Sequence, residues 1–299
     1  MADKSTLFTG VSAFPLTPAT ASGEIMADEF GALLGRLENS AVDSVGVLGS
    51  TGAAAYLNRV QRRRAIKTAH DALTKPVIAG VSALRTDQVL ELALDAKKSG
   101  ADAILLSAMS YTPLRDREVV RLFERVNDTV DLPICIYNNP GTTNFTFSPA
   151  LIGELSQLEH VTALKDGANG HEELAARRAE IVPLVGEDFI IGMSGDSLAI
   201  EGLIDGAGTW YSVLAGTLPD VCTDLATTIA DGNYDDARRR DAALQPMWEL
   251  MRRVGGIRVM YALVELLDFG TALPPEPLLP LDYDDKAALI LALEAGQLV

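Results

Sequence analysis

The sequence predicts an α/β fold, a (β/α)8 TIM barrel followed by a C-terminal helical subdomain, and three observations predict it. Eight short apolar runs recur at intervals of about 25–33 residues, each followed by a helical pattern, over about 220 residues. A doubly wound sheet usually shows fewer strands and a GxGxxG fingerprint after its first strand, and no such fingerprint opens this chain. From about Leu218 the strand signals stop while helical patterns continue. The expected division is therefore a barrel over 1–218, holding the active site, and a helical subdomain over 219–299.

The first run, Val11–Phe14, precedes a helix with Phe30, Leu33, Leu34 and Leu37 at helical spacing. Ser44–Leu48 follows, then a helix starting near Asn58, with Gln61 three residues on as a capping box. Val77–Val81 leads to Thr86 as an N-cap, with Val89, Leu92, Ala93 and Ala96 on one helical face. Ala103–Leu106 precedes a helix carrying Val119, Leu122, Phe123 and Val126. Ile134–Tyr137 leads to Ser148-Pro149, a cap with proline at the first helical position. The sixth to eighth runs are Val161–Lys165, Phe189–Met193 and Thr209–Val213. Beyond them, helical patterns occupy 219–231, 234–254, 256–268 and 284–296, interrupted by the proline-rich Leu273–Pro280.

Composition narrows the function. The 299 residues are 48% hydrophobic and 22% charged, ordinary for a soluble globular protein and enough for a large core. The net charge of −16 argues against nucleic acid and against an anionic membrane surface, both of which need clustered Lys and Arg. Cys135 and Cys222 are far apart, without a CxxC, so neither a disulfide framework nor a zinc knuckle is expected. His70, His160 and His171 lack metal-ligand spacing and read as surface or helix-end residues. Met1–Pro15 lacks the features of a signal peptide, and no apolar run reaches about 18 residues, so the expected location is cytoplasmic.

Catalysis in such barrels sits at the C-terminal ends of the strands. Val161, Ala163 and Lys165 alternate with Thr162 and Leu164, so Lys165 shares a face with Val161 and Ala163. Burial there disfavours the ammonium, and a neutral amine attacks carbonyl carbons. An ordinary lysine snorkelling from a strand end is the alternative. Strand two ends in Gly49-Ser50-Thr51-Gly52, where main-chain N–H groups and hydroxyls can converge on a carboxylate, or where a hydroxyl simply caps a turn. Strand five ends in Tyr137-Asn138-Asn139-Pro140-Gly141. If Tyr137 points inward it neighbours Lys165, because adjacent strands lie about 4.8 Å apart. A tyrosine beside an imine-forming lysine can move protons if something relays to its hydroxyl. Cys135 reads as a small packing residue beneath it.

Those three motifs, with Gly195-Asp196, Gly206–Val213 and Leu278–Leu281, stand in the order and spacing of the dihydrodipicolinate synthase / N-acetylneuraminate lyase family, which the chain resembles from about Phe8 to Leu281. The resemblance implies a Schiff-base lyase of the class I aldolase type acting on pyruvate or a related 2-oxo acid and an aldehyde, with no metal or organic cofactor. Lys165 then looks like the imine-forming residue, Tyr137 like the general acid/base and Ser50 like the hydroxyl relaying to it. Thr51 resembles the ligand of the pyruvate carboxylate. The family also implies a homo-oligomer, a dimer or homotetramer.

Several positions depart from the family pattern. Where its synthases carry an arginine that binds the aldehyde's carboxylate, this chain has Thr142, which offers no bidentate cationic clamp. Ala53 replaces a glutamate, and Ser107–Pro113 replaces a proline–tyrosine–tyrosine segment, so that Tyr111 is the candidate to reach a neighbouring subunit's proton relay. Tyr211 stands beside the imine where isoleucine is frequent. These changes predict a poor dihydrodipicolinate synthase that prefers a neutral or hydroxylated partner held by Thr142, Asn139 and Tyr211. The alternatives are a true 4-hydroxy-tetrahydrodipicolinate synthase, a 2-keto-3-deoxy sugar acid dehydratase, and a non-catalytic paralogue that binds a 2-oxo acid.

Overall fold

Eight parallel strands close into a barrel in sequence order. The computed structural model describes residues 7–298; residues 1–6 of the N-terminal stretch read above, and Val299, lie outside it. The strands are β1 Gly10–Ala13, β2 Ser44–Val47, β3 Val77–Gly80, β4 Ala103–Leu106, β5 Ile134–Tyr137, β6 Val161–Asp166, β7 Ile190–Ser194 and β8 Thr209–Ser212. Between them run α1 Ala27–Glu38, α2 Arg59–Ala72, α3 Thr86–Lys98, α4 Asp116–Asn127, α5 Pro140–Thr143, α6 Pro149–Leu155, α7 His171–Ile181 and α8 Ala199–Ile204. After β8 come α9 Pro219–Ala230, α10 Tyr234–Val254, α11 Gly256–Leu266 and α12 Tyr283–Ala295.

Local chemistry sets the helix starts. Asn58 Oδ1 accepts from Gln61 N–H at 3.0 Å while Gln61 Oε1 accepts from Asn58 N–H at 2.8 Å, the expected capping box, whose loss costs about 1 kcal/mol. Ser148 Oγ accepts from Leu151 N–H ahead of Pro149. Thr86 is not an N-cap: it is the first helical residue, and Arg85 takes the extended cap conformation, with its guanidinium on Asp87. An arginine supplies no side-chain acceptor, so that end is held by the ion pair instead.

Strand alternation divides the core in two. Ile104, Ile136, Leu164 and Trp210 face the helices, while Phe14, Ile78, Ala103, Leu105, Cys135, Ala163 and Tyr211 fill the barrel. Val161 joins the helix-side layer instead of sharing a face with Ala163 and Lys165, because the β5–β6 pairing shifts register between Ile134 and Cys135. Above the shift the pairing is regular and sets Tyr137 opposite Lys165. Two glycines make the barrel roomy enough for aromatic rings. A Cβ on Gly46 would lie 2.2 Å from the Phe14 ring, and one on Gly192 would lie 2.5 Å from the Tyr211 ring. No helix among the described residues is long and apolar enough to cross a membrane.

Candidate active site

A cavity of about 640 Å³ opens at the C-terminal ends of the strands, within the range of small-molecule sites. The loop after β2 supplies Gly49, Ser50 and Thr51, the end of β5 supplies Tyr137 and Asn139, and α10 supplies Trp248, Met251 and Arg252. The β2 loop turns sharply. Leu48 and Ala53, not the two glycines, carry the left-handed backbone, with φ of 60° and 55°. Gly52 is needed for a different reason: a Cβ there would approach Leu48 N to 2.8 Å. Non-glycine residues held at positive φ store strain of about 1–3 kcal/mol and recur at ligand sites.

Lys165 is the penultimate residue of β6, inside the barrel and 2% exposed, and is not itself part of the cavity wall. Its Nζ lies 3.5 Å from the centroid of the Phe14 ring, 4.8 Å from that of Tyr137 and 5.4 Å from that of Tyr211. Removal from water pushes the amine down to about 7, against the opposing pull of Cys135 and the Asp196 carboxylate. A substantial fraction is therefore neutral near pH 7, as a nucleophile toward carbonyls must be.

Above the lysine, Ser50 Oγ lies 3.3 Å from Tyr137 Oη. Asn139 Nδ2 donates to Tyr137 Oη at 2.8 Å and to Ser50 Oγ at 3.3 Å. An amide donor on the phenol oxygen leaves the phenol's own proton free for Ser50 or a ligand. Burial raises the Tyr137 pKa, against hydrogen bonds from Ser50, Asn139 and Ser194, so the phenol is protonated at neutral pH. The group can give a proton and recover it through the hydroxyl beside it.

Two buried carboxylates brace the strand ends. Asp166 accepts from Asn138 Nδ2 at 2.6 Å and from Arg177 Nε at 2.9 Å; Asn138 Oδ1 accepts from Phe147 N–H at 3.1 Å. That network fixes the chain on either side of Asn139 to the end of β6. Asp166 is the last residue of β6, one beyond the run Val161–Lys165 read from the sequence. Asp196 accepts from Trp210 Nε1 at 2.9 Å and Leu214 N–H at 3.0 Å, and burial raises its pKa against those donors and Ser212. It is a buried acceptor facing the charge of Lys165.

The structure brings Ser50, Thr51, Tyr137, Asn139 and Thr142 to one cavity, with Lys165 paired in register with Tyr137. Thr142 is exposed on α5, and its Oγ1 donates to Asn139 O at 3.3 Å. Tyr211 is 1% exposed and lies in the packed interior of the barrel, edge-on to Phe14 and 3.5 Å from Cys135 Sγ, not in the cavity wall where a substrate contact needs it. Burial pushes the Cys135 thiol up to about 12, consistent with packing and no chemistry. Tyr111 is 93% exposed and lines no part of this chain's cavity, while Met109 does. Sequence reasoning missed Phe14, Ser194, Asp196, Trp248 and Arg252. Inward parity signalled Phe14 and the Gly195-Asp196 motif signalled Asp196, but no local pattern marks residues of α10.

Comparison with known proteins places this geometry. Residues 7–295 match the model of the dihydrodipicolinate synthetase family. A 4-hydroxy-tetrahydrodipicolinate synthase of Pseudomonas putida is 30% identical over 265 residues, 87% of this chain and 89% of that protein. The crystal structure of a dihydrodipicolinate synthase from Agrobacterium tumefaciens superposes with a TM-score of 0.95 at 43% identity, covering 98% of this chain and 99% of that one. YagE, a prophage protein from E. coli K12 solved in complex with pyruvate, gives a TM-score of 0.90 at 25% identity, covering 98% and 100%. The chain belongs to the dihydrodipicolinate synthetase family, and with it to the Schiff-base class I lyases.

Proposed function

We propose that the enzyme joins or cleaves carbon–carbon bonds through an imine between Lys165 and pyruvate or a related 2-oxo acid. The observation that carries the reading is the buried amine of Lys165 paired in register with Tyr137, whose hydroxyl meets Ser50. Neutral Nζ attacks the keto carbon and forms the C–N bond. Tyr137 protonates the departing oxygen, which leaves as water, and the nitrogen becomes an iminium. Ser50 and Asn139 hold the phenol for that transfer, and Thr51 with the adjoining backbone N–H groups receives the substrate carboxylate. The iminium then takes up the electron pair released at C3, either by loss of a C3 proton or by cleavage of the C3–C4 bond. The resulting enamine attacks an aldehyde carbon in one direction and is protonated to release pyruvate in the other. Water hydrolyses the final imine and returns Lys165.

Tyr211 supports the lysine from below. The relatives' synthase activity transfers poorly, because Thr142 offers the distal carboxylate of aspartate semialdehyde a hydroxyl and no charge. The exposed Tyr111 fits a role across a subunit boundary in a dimer or tetramer, and a cytoplasmic location is part of the same reading.

The test is borohydride reduction in the presence of pyruvate. One reduced pyruvyl group per chain should map to Lys165, and Lys165→Ala should take up none. An adduct on another residue, or trapping that survives in Lys165→Ala, overturns the reading.

A further inference from the structure

Among the described residues Arg252 is the arginine of the cavity wall that makes no hydrogen bond or ion pair. It sits on α10, exposed, between the lining residues Met251 and Gly255. Among the described residues no carboxylate, carbonyl or hydroxyl pairs with its guanidinium. The arginines around it are engaged. Arg253 pairs with Asp285 at 2.5 Å, and Arg258 donates to Val254 O at 2.9 Å. The other arginine of the wall, Arg62, is buried and spends its Nε and Nη1 on the carbonyls of Leu57 and Ser82, at 3.1 and 3.0 Å. In a chain with 41 acidic residues against 25 Lys and Arg, an unpaired arginine facing a cavity is conspicuous. The same wall carries the apolar side chains of Trp248, Met251, Ile257 and Leu278.

We propose that Arg252 binds a second carboxylate at the far end of the substrate, so that this enzyme handles acids charged at both ends with an apolar stretch between. The inference rests on the imine reading for the other end. A guanidinium presents paired donors that match a carboxylate, and the apolar residues of the wall accept the intervening methylenes. A phosphate dianion fits less well, because the only second cation on the wall is already committed to carbonyls. Thr142 gives the α5 side no cation, so the charge is read from α10 instead, and the sequence expectation of a neutral partner is revised accordingly. The size of the cavity agrees: pyruvate, with three carbons, fills only a small part of about 640 Å³.

The test compares pairs of 2-oxo acids that differ only at the far end. 2-Oxoglutarate, 2-oxoadipate and 2-oxopimelate are each matched with the 2-oxo acid of equal chain length ending in methyl. Half-saturating concentrations for borohydride-trapped adduct on Lys165 are read by mass, with pyruvate alongside. At one chain length or more, the diacid should trap at about tenfold lower concentration than its partner, the effect of one charge-assisted bond at an exposed arginine. That ratio should fall toward one in Arg252→Met, which keeps the stem, and recover in part in Arg252→Lys. A melting curve for each variant confirms folding. Equal trapping of diacid and monoacid at every length overturns the inference while leaving the imine reading intact. A diacid preference that survives Arg252→Met also overturns it and moves the role to Arg62. Absence of any pyruvate adduct in the unmodified protein removes the imine reading, and this inference with it.

Discussion

Replacing Lys165 with methionine should make the protein more stable, by an amount that shrinks as the pH rises. Lys165 is almost wholly buried, and burial carries its amine from an ordinary 10.5 to about 7. Methionine keeps an unbranched stem, packs favourably on aromatic rings such as Phe14, and has no charge to desolvate. The sign follows from proton binding. The folded state holds this proton less tightly than the unfolded chain, so between pH 7 and 10.5 the unfolded chain binds more protons, and wild-type stability gains with pH from this group. Below pH 7 both states are protonated and the folded protein bears the whole penalty. At 1.36 kcal/mol for each pH unit between the two values, that penalty is about 5 kcal/mol. Roughly 3 kcal/mol of it persists at pH 8, and nothing above pH 10.5. The assay is denaturant unfolding of wild type and Lys165→Met from pH 6 to 10, read as the difference between the two. The variant's advantage should be largest at pH 6 and should shrink by about 1.4 kcal/mol per pH unit above 7. A difference that does not vary with pH, or a wild type that is more stable at pH 6, would refute the reasoning. The amine would then be charged and solvated in the native state, with no claim to be a neutral nucleophile.

Three further outcomes follow from the same geometry. Imine formation with pyruvate should accelerate as pH rises through about 7 and level off above it, because the nucleophile is the deprotonated amine; stopped-flow trapping across pH 5.5–9 reads this, and a flat profile counts against it. Tyr137→Phe should still bind the 2-oxo acid but lose turnover by about 10²–10⁴-fold, measured as kcat alongside trapped adduct; wild-type kcat would remove the phenol from the mechanism. Thr142→Arg should raise kcat/KM for aspartate semialdehyde by about one to two decades, the effect of one charge-assisted bond, and no gain with the arginine shown to face the cavity would detach position 142 from partner choice.

The barrel was legible because parallel strands covered on both faces read as short apolar runs, and because alternation fixes which side chains point inward. That parity placed Tyr137 against Lys165, and the register pairs them. Parity gives a face but not a depth. Tyr211 stands beside Lys165 as expected, its ring centroid 5.4 Å from Nζ, but not as the substrate contact also expected of it. Gly192 carries no side chain, and the Tyr211 ring fills that space inside the barrel instead of reaching the cavity. The hydroxyl-glycine loop was legible as an irregular turn, yet its strain falls on Leu48 and Ala53, which no turn rule marks. Arg252 and Trp248 were illegible for a different reason. They belong to a helix whose sequence reads as an ordinary amphipathic pattern, and only its return over the barrel mouth brings them to the site.

That site has to satisfy demands that conflict at a single nitrogen. Attack on a carbonyl needs the amine neutral, which burial provides, but the iminium that follows is a cation in the same dry place. The aromatic rings of Phe14, Tyr137 and Tyr211 within 3.5–5.4 Å meet part of that charge, and so does Asp196. On the proposed chemistry the larger part comes from the substrate itself. A 2-oxo acid brings its carboxylate one bond from the carbon that becomes the iminium, so the cation forms beside an anion already held at Thr51. A lone ammonium suffers the full desolvation penalty and sheds its proton, whereas the iminium–carboxylate pair is neutral as a unit and escapes most of it. A simple ketone would generate the same iminium with no anion beside it. On that proposal, the burial that activates Lys165 also selects its substrate, favouring 2-oxo acids over other carbonyl compounds before any residue of the outer cavity is consulted.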